Sequence, residues 1–245
     1  MVGDTGKEFI EKTKFRHIDK PGQMKGHRSP PLELEFDSTK TLIDLPESEK
    51  ISVNDFDLAQ VIENRRSFRQ YSKKALSLEE LSYLLWCTQG VREYIPNAAT
   101  FRNVPSAGAR HALETYLLIN NVEGLKPGLY RFLAIEHKLL ELDTEPSLAD
   151  KITDACLDQS FVKNSAVTFV WTAVAERMTW RYGGRGYRYL FLDAGHVCQN
   201  LYLSADSIGC GVCAIGAFLD DVLNTLLRID GENQFSIYLA AVGKK

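Results

Sequence analysis

Apolar side chains recur at three- and four-residue intervals along the longest patterned stretch of the chain, from Gly186 to Ser207. The apolar positions are Tyr187, Leu190, Phe191, Ala194, Val197, Cys198, Leu201, Tyr202 and Ala205. This spacing predicts one helix of about six turns, with Gly209 just beyond its end. Because most helices have about three turns, we expect this one to be a central core helix or a subunit interface.

Shorter helices precede and follow it. Asp57 with Gln60, and Ser77 with Glu80, have the form of capping boxes ahead of two apolar runs. Gly90 is suited to end the second of these helices. A further helix is predicted to begin near Pro146 and to include residues 154–158, and an Asp-capped helix to run from 220 or 221 to 227.

Runs of β-branched and aromatic residues predict the strands. They are 115–119, a hairpin of 129–133 with 138–142, the buried run 167–174, and a final strand 235–242. Residues 91–104 are predicted as a loop, and 105–109 and 213–218 as turns. Because the strands lack a regular β-α-β alternation, the pattern favours an α+β fold over a doubly wound sheet. No G-x-G-x-x-G follows a strand, so nothing indicates a Rossmann domain.

Composition narrows the classes of function. The chain has 245 residues, 44% hydrophobic and 25% charged, as in globular proteins, and its net charge of −3 argues against nucleic acid or an anionic membrane as a partner. No stretch reaches the roughly 18 apolar residues of a membrane span, and no signal peptide is evident, so a cytoplasmic location is expected. Residues 1–50, polar and punctuated by Pro and Gly, are predicted as an extended arm, and 51–245 as a single domain.

The candidate chemistry begins at Arg65, Arg66, Ser67 and Arg69, just after the helix that Asp57 caps. Guanidinium forks and a hydroxyl suit a phosphate dianion, although such a cluster at a helix end is also typical of a solvated surface. Residues 210–213 spell C-x-x-C, but no second pair or His pair accompanies them, and no metal site is predicted.

Seven segments, in this order, resemble the nitroreductase superfamily of flavoproteins, and most closely its SagB-type dehydrogenase branch. They are RRSFRQY, LSLEELSYLLWCTQG, PSAGARHALETYLLI, GLYRF, AGHVCQNLYLSADSIGCG, CAIGAF and YLAAVGK, and the resemblance spans about residues 55–245. It implies a homodimeric, nitroreductase-like α+β fold, with an antiparallel-dominated central sheet flanked by helices. The long helix would lie in the dimer interface, and FMN would bind between the subunits.

The resemblance also implies roles for individual residues. Arg65 and Ser67 match contacts to the FMN phosphate, and Arg69 matches a cation near the pyrimidine edge of the flavin, whereas Arg66 has no match and is interpreted as a surface or interface charge. The turn that lies along the flavin, usually from the other subunit, is matched by Pro105, Ser106, Ala107 and Gly108. The segment whose backbone faces the redox-active ring nitrogen is matched by Ala214, Ile215 and Gly216. Lys244 is a candidate for the phosphate, with a solvated terminal lysine as the alternative.

Azoline-oxidising members of the branch carry a Lys-Tyr pair near the start of the long helix, where this chain has Arg181 and Tyr182. Arginine is a poor general base. Tyr182 remains a candidate catalytic residue, and the alternative for this stretch is a mobile lid.

The resulting expectation is an FMN-dependent oxidoreductase that passes hydride from NAD(P)H to a small nitroaromatic- or quinone-like acceptor by a ping-pong mechanism. The alternatives are an azoline dehydrogenase of peptide maturation and a non-catalytic flavin-binding protein.

Overall fold

The computed structural model describes residues 4–47 and 57–245. Its helices are α1 (Thr5–Lys12), α2 (Leu58–Asn64), α3 (Leu78–Gln89), α4 (Leu148–Ala155), α5 (Phe161–Asn164), α6 (Ala175–Tyr182), α7 (Gly186–Ser207) and α8 (Asp220–Leu227). Its strands are β1 (Leu42–Asp44), β2 (Val91–Ile95), β3 (Ala99–Arg102), β4 (Leu113–Ile119), β5 (Gly128–Leu133), β6 (Lys138–Asp143), β7 (Val167–Val174), β8 (Cys210–Ile215) and β9 (Gln234–Lys244).

Seven strands form the central sheet in the order β1-β6-β5-β4-β7-β9-β8, and β2 and β3 form a separate ribbon. Each pairing of neighbouring strands is antiparallel. Side chains alternate between the two faces of a strand. In β4, Leu113 and Leu117 therefore join one apolar core, while Tyr116 and Leu118 join the other. The α+β prediction is confirmed.

Helices cover both faces of this sheet. The first core takes its helical side chains from α3, α6 and α7, and the second takes them from α4, α5 and α8. Because both faces are covered, strands such as β4 and β7 are buried along nearly their whole length rather than at alternating positions. The long helix α7 thus lies on one face of the sheet and packs against β8 and β9.

The local signals of helix ends agree with the structure for α2, α3 and α7. The α7 prediction is confirmed at both ends. Ser77 and Glu80 form the reciprocal capping box of α3, and Gly90 follows its last residue. The Asp57 side chain accepts hydrogen bonds from the backbone N–H groups of Ala59 and Gln60 and so caps α2.

Four predictions were wrong in part. Residues 91–104 contain the β2–β3 ribbon, whose outward residues are mostly exposed and therefore show no apolar alternation. The segment 213–218 is strand as far as Ile215, because β8 pairs with β9 to that point. The N-cap of α8 is Leu219, and the two aspartates lie inside the first turn. Residues 157 and 158 follow α4, with positive φ at both.

The N-terminal segment, residues 4–47, lies along the body of the protein. β1 extends the sheet at its edge by pairing with β6. Glu33 accepts the backbone N–H groups of Ala134, at 2.6 Å, and Ile135, at 3.2 Å, and Arg131 donates to the Leu34 carbonyl at 2.9 Å. The predicted end of the arm near residue 50 lies outside the described residues.

Candidate functional site

The arginine segment lies along the outer edge of β8. Ser67 forms an isolated parallel bridge with Val212, and the Phe68 N–H donates to the Val212 carbonyl at 2.8 Å. The Phe68 ring packs over Gly211, where a Cβ would overlap the ring. The sheet edge and this glycine therefore fix the backbone that carries Arg65, Ser67 and Arg69.

None of the three arginines in this segment has a carboxylate partner among the described residues, and two of them also donate no hydrogen bond to a carbonyl there. The Arg65 guanidinium lies over the Tyr202 ring, 5.3 Å from its centroid, and that of Arg69 lies over Phe161 at 5.8 Å. Arg66 differs, because it donates to the carbonyls of Glu63, at 2.9 Å, and of Arg65, at 2.8 Å. Arg65 and Arg69 are thus exposed cations on aromatic supports, and their hydrogen-bonding groups are available to an anion.

Tyr202 on α7 connects the parts of this half of the site. Its hydroxyl accepts the N–H of Ala214 at 2.9 Å and lies 3.5 Å from the Ser67 hydroxyl. Beside it, a cavity of about 220 Å³ is lined by Arg65, Tyr202 and Lys245, among others. From the sequence, Tyr202 was one of nine apolar positions on a helical stripe, and no signal distinguished it.

The segment 214–216 begins inside β8. The Ala214 N–H is already bonded to Tyr202, and Ile215 is paired with Leu239 of β9. Gly216 follows the strand and is exposed. Nearby, burial raises the pKa of the Cys213 thiol, and the adjacent Arg69 opposes that rise.

The terminal lysines have different surroundings. Lys244 is buried and donates to Glu80 and to the Ile208 carbonyl. Lys245 lines the cavity beside Arg65 and forms an ion pair with Asp206. Of the two ammonium groups, only that of Lys245 borders this cavity.

The second predicted half of the site, residues 105–108, contacts α7 nearer its start. Ser106 donates to the Asp193 carboxylate at 2.6 Å and accepts the His111 N–H at 2.9 Å. Burial raises the pKa of Asp193, and the hydrogen bond from Ser106 opposes that rise. The turn continues as a short 3₁₀ segment in which Gly108 has φ +59°.

Arg181 and Tyr182 lie directly against this turn. A Cβ built on Gly108 would lie 2.5 Å from the Tyr182 hydroxyl and 2.7 Å from Arg181 Nε, so a side chain at this position would displace both of them. The Tyr182 ring packs edge-on against Tyr189, with ring centroids 4.8 Å apart. The structure therefore brings the candidate catalytic tyrosine together with the predicted flavin-facing turn.

The N-terminal segment holds the stretch that carries this pair. Trp180 donates to the His27 carbonyl at 2.9 Å, and Arg185 donates to the Thr13 carbonyl at 3.0 Å. Arg188 donates to the Thr13 hydroxyl at 2.6 Å. These contacts oppose the interpretation of the stretch as a mobile lid.

The two halves of the site do not meet within one chain. The turn contacts α7 at Asp193 and the arginine segment contacts it at Tyr202, which are nine residues apart. At 1.5 Å per residue, the two contact points lie about 14 Å apart along the helix.

Three observations concern a disulfide between Cys210 and Cys213, a metal site and a membrane-spanning helix. Cys210 and Cys213 point to opposite faces of β8, into different cores, so they cannot bridge one another. Within residues 4–47 and 57–245, no group of three or more His, Cys, Asp and Glu side chains is placed to hold a metal ion. No helix in the described part of the chain has both the length and the apolar character to cross a membrane.

Comparison with known proteins assigns the chain to a family. The nitroreductase family model matches residues 62–244. The curated relative MJ1384 from Methanocaldococcus jannaschii, named as a nitroreductase, is 35% identical over 203 residues, which cover 83% of this chain and 96% of the relative. The chain belongs to the nitroreductase family. This confirms the resemblance seen in the sequence.

A second curated relative supports the resemblance to the SagB-type branch. The trifolitoxin-processing protein TfxB of Rhizobium leguminosarum is 27% identical over 154 residues, covering 61% of this chain and 41% of TfxB. The Escherichia coli microcin synthetase McbBCD complex contains a chain with a TM-score of 0.61 at 20% identity, covering 97% of this chain and 86% of that one. At that identity, the second similarity is one of fold.

Solved structures support the same fold. A nitroreductase structure from Anabaena variabilis has a TM-score of 0.69 at 28% identity, covering 84% of this chain and 42% of that chain. A nitroreductase from Desulfovibrio desulfuricans, crystallised with FMN, has a TM-score of 0.54 at 16% identity, covering 78% of this chain and 87% of that one.

Proposed function

We propose that this nitroreductase-family protein is an FMN-dependent oxidoreductase that takes hydride from NAD(P)H and reduces a small organic acceptor. The observation that carries the proposal is the pair of unpaired cations, Arg65 and Arg69, on either side of the Ser67 hydroxyl. Each is supported by an aromatic ring and bound to no carboxylate among the described residues. Guanidinium groups placed in this way can bind an anionic ligand through charge-assisted hydrogen bonds.

The residues fit FMN in particular. Arg65, Ser67 and Lys245 would hold the phosphate, since all three lie around Tyr202 and the adjoining cavity. Arg69 would lie at the flavin ring system. Of the terminal lysines, Lys245 is the better candidate for the phosphate, because it borders the cavity, whereas the Lys244 ammonium is buried and bonded to Glu80 and the Ile208 carbonyl.

The bound FMN would supply reversible two-electron chemistry, and the chain would supply orientation and charge. Arg69 would stabilise negative charge that develops on the flavin during reduction, because its position is fixed before the reaction. Gly216, exposed at the end of β8, would present a backbone N–H to the ring. Tyr182, beside Gly108, would donate the proton that the acceptor gains together with the hydride.

We further propose that the complete site forms between two copies of the chain. The α7 surface carries the exposed apolar side chains Phe191 and Leu192, and α2 adds Leu58 and Ile62. Packing these surfaces against a second copy would bury them and would bring the turn of one chain to the arginine segment of the other. This arrangement resolves the separation of about 14 Å along α7 within one chain.

Intersubunit complementation tests the composite site. We expect homodimers of Arg65→Ala and of Gly108→Val each to lose activity, because each lacks one half of every site. A mixed dimer of the two would contain one intact site and recover part of the activity. If mixed dimers, isolated with two affinity tags, remain inactive, the two halves do not come from different subunits.

The cofactor and the activity are tested on the purified protein. Its visible absorption should show the two flavin bands, and the released chromophore should have the mass of FMN. Oxidation of NAD(P)H with a nitroaromatic or quinone acceptor should be faster than with the same concentration of free FMN. A protein that binds FMN but shows no such acceleration would be a non-catalytic flavin-binding protein.

A second candidate function is azoline dehydrogenation in peptide maturation. Similarity to the trifolitoxin-processing protein favours it, and so does the position of Tyr182 against the flavin-facing turn. Its weakness is Arg181, which stays protonated and cannot act as a base at neutral pH. Incubation of the flavin-loaded protein with a thiazoline peptide should then remove two hydrogens, seen as a mass loss of about 2 Da. An unchanged peptide would exclude this candidate.

A further inference from the structure

Beside the turn at Gly108 lie two arginines that have no carboxylate partner among the described residues. Arg110 is only 6% exposed, and its guanidinium lies over the Trp180 ring at 5.2 Å. It donates to the Ser29 hydroxyl at 3.3 Å and the Ala98 carbonyl at 3.0 Å, while its Nε has no partner. Arg181 is exposed; its guanidinium lies 5.8 Å from the Tyr182 ring centroid and makes no ion pair with a described residue.

The two charges act on each other. The pKa of Arg110 is lowered by burial and then by the positive charges of Arg181 and Arg177, while Tyr182 opposes the shift. The nearby Arg177 is buried to a similar extent, at 3% exposed, but is neutralised by Glu114 at 2.6 Å. The fold therefore supplies a counter-charge to one buried arginine and none to the other.

A buried cation without a counter-charge is costly, and a second cation beside it increases the cost. An anion bound at this place would offset part of both penalties. Arg181 is the residue positioned to contact it, because Arg181 is exposed and its Nε and Cδ pack over the Gly108 position. Arg110, set behind it, would add charge without contact.

We propose that Arg181, backed by Arg110, is a subsite for an anionic group on a reactant that enters over the turn at Ala107 and Gly108. This inference rests on the proposed function, because that turn is the one assigned to the flavin. A planar, permanently charged fork suits a carboxylate or phosphate, which it can bind through two parallel hydrogen bonds. The anionic group belongs either to the organic acceptor, as a carboxylate, or to NADPH, as its 2′-phosphate.

The test uses pairs of ligands that differ in charge at one place. 4-Nitrobenzoate and 4-nitrobenzamide have nearly the same shape, and NADP⁺ differs from NAD⁺ by the phosphate. Binding of all four is measured by titration calorimetry to the flavin-loaded wild type, Arg181→Gln, Arg181→Lys and the control Arg92→Gln. Arg92 is also an exposed arginine without an ion pair among the described residues, and it lies on the β2–β3 ribbon.

We expect one of the two pairs to show a preference of about tenfold or more for the anionic member in the wild type, from one charge-assisted contact. The preference should disappear in Arg181→Gln, persist in part in Arg181→Lys and be unchanged in Arg92→Gln. A preference within the nitrobenzoate pair identifies the acceptor as the source of the anion, and one within the nucleotide pair identifies NADPH.

Two results would overturn the inference: no preference in either pair for the wild type, or a preference that survives Arg181→Gln. Because binding needs no turnover, this test is separate from that of the proposed function. A protein that prefers the anionic ligand through Arg181 yet oxidises NAD(P)H no faster than free FMN would retain the subsite and lose the enzymatic assignment. Retention of FMN and an unchanged melting temperature in Arg181→Gln would establish that the variant is folded.

Discussion

Arg65→Ala should weaken the binding of FMN selectively through its phosphate. The wild-type guanidinium is exposed, lies 5.3 Å from the Tyr202 centroid and has no partner among the described residues that would compete with the ligand. A hydrogen bond to a charged group contributes about 1.5–3 kcal/mol. Since 1.4 kcal/mol is about a factor of ten, we expect FMN affinity to fall about 10- to 150-fold.

Riboflavin separates this effect from general damage to the site, because it has the same ring system and no phosphate. Apoprotein freed of flavin is titrated with each compound, and the quenching of flavin fluorescence is followed. Wild type and Arg65→Ala should bind riboflavin equally, and their free energies of unfolding should agree within about 0.5 kcal/mol, because the residue is exposed.

Arg66→Ala is the matched control, since its guanidinium is bonded to the carbonyls of Glu63 and Arg65. Its FMN affinity should stay close to that of the wild type, as expected for an exposed charge. If Arg65→Ala binds FMN normally, or loses riboflavin and FMN to the same degree, Arg65 does not hold the phosphate.

Three further changes test other parts of the structure. Arg69→Ala should make the reduction potential of the bound flavin more negative by about 30 mV or more, because a cation beside the reduced flavin is removed. The potential is measured by dye-coupled titration. An unchanged potential would place Arg69 away from the ring. Burial and the charge of Glu114 raise the pKa of Glu33 to about 8, so the folded chain holds this proton more tightly than the unfolded chain and loses stability as the pH rises from about 4.3. The free energy of unfolding, measured with a chemical denaturant at each pH in that range, should change less with pH in Glu33→Gln than in the wild type. A slope equal to that of the wild type would contradict the raised pKa of Glu33. Phe191→Glu on the exposed face of α7 should yield monomers, detected by light scattering, that lose FMN, detected by absorption. The control Leu157→Glu lies beyond α4 on the opposite face of the sheet and should stay dimeric.

Elements with a local signal could be predicted from the sequence alone. The stripe of α7 was visible because one side of a helix packs on a sheet, which requires apolar residues at every third or fourth position. Ser77 and Glu80 identified the start of α3 because a capping box is completed within four residues. The motif order identified the family for the same reason: each motif is short and contiguous.

Features that depend on contacts between distant segments were missed. The β2–β3 ribbon is largely exposed, so its residues carry no periodic burial pattern. β8 was not predicted, and its last residues were assigned to the turn 213–218, because they are held by pairing with β9, about 25 residues away in sequence. Tyr202 looked like any apolar position on the helix, and only the fold brings Arg65, Ser67 and Ala214 to it. In each case the decisive partner lies far away in the chain.

Contacts of the N-terminal segment with residues around Arg181 and Tyr182 explain why a substitution in that segment would affect the candidate site, although the segment supplies no ligand to it. Arg181 and Tyr182 end α6, and the backbone that follows them bends at Gly183, which has φ +56°. Trp180, one residue before the pair, is bonded to the His27 carbonyl, and Arg185, just after the bend, to that of Thr13. The segment therefore fixes both sides of the bend and, through it, the direction in which Arg181 and Tyr182 face the turn at Gly108. Loss of these contacts would leave the phosphate half of the site intact, because the arginine segment is fixed independently by Val212 of β8. In the proposed enzyme, FMN binding and substrate selection would thus be supported by different parts of the chain, and the pocket over the turn could vary without loss of the cofactor.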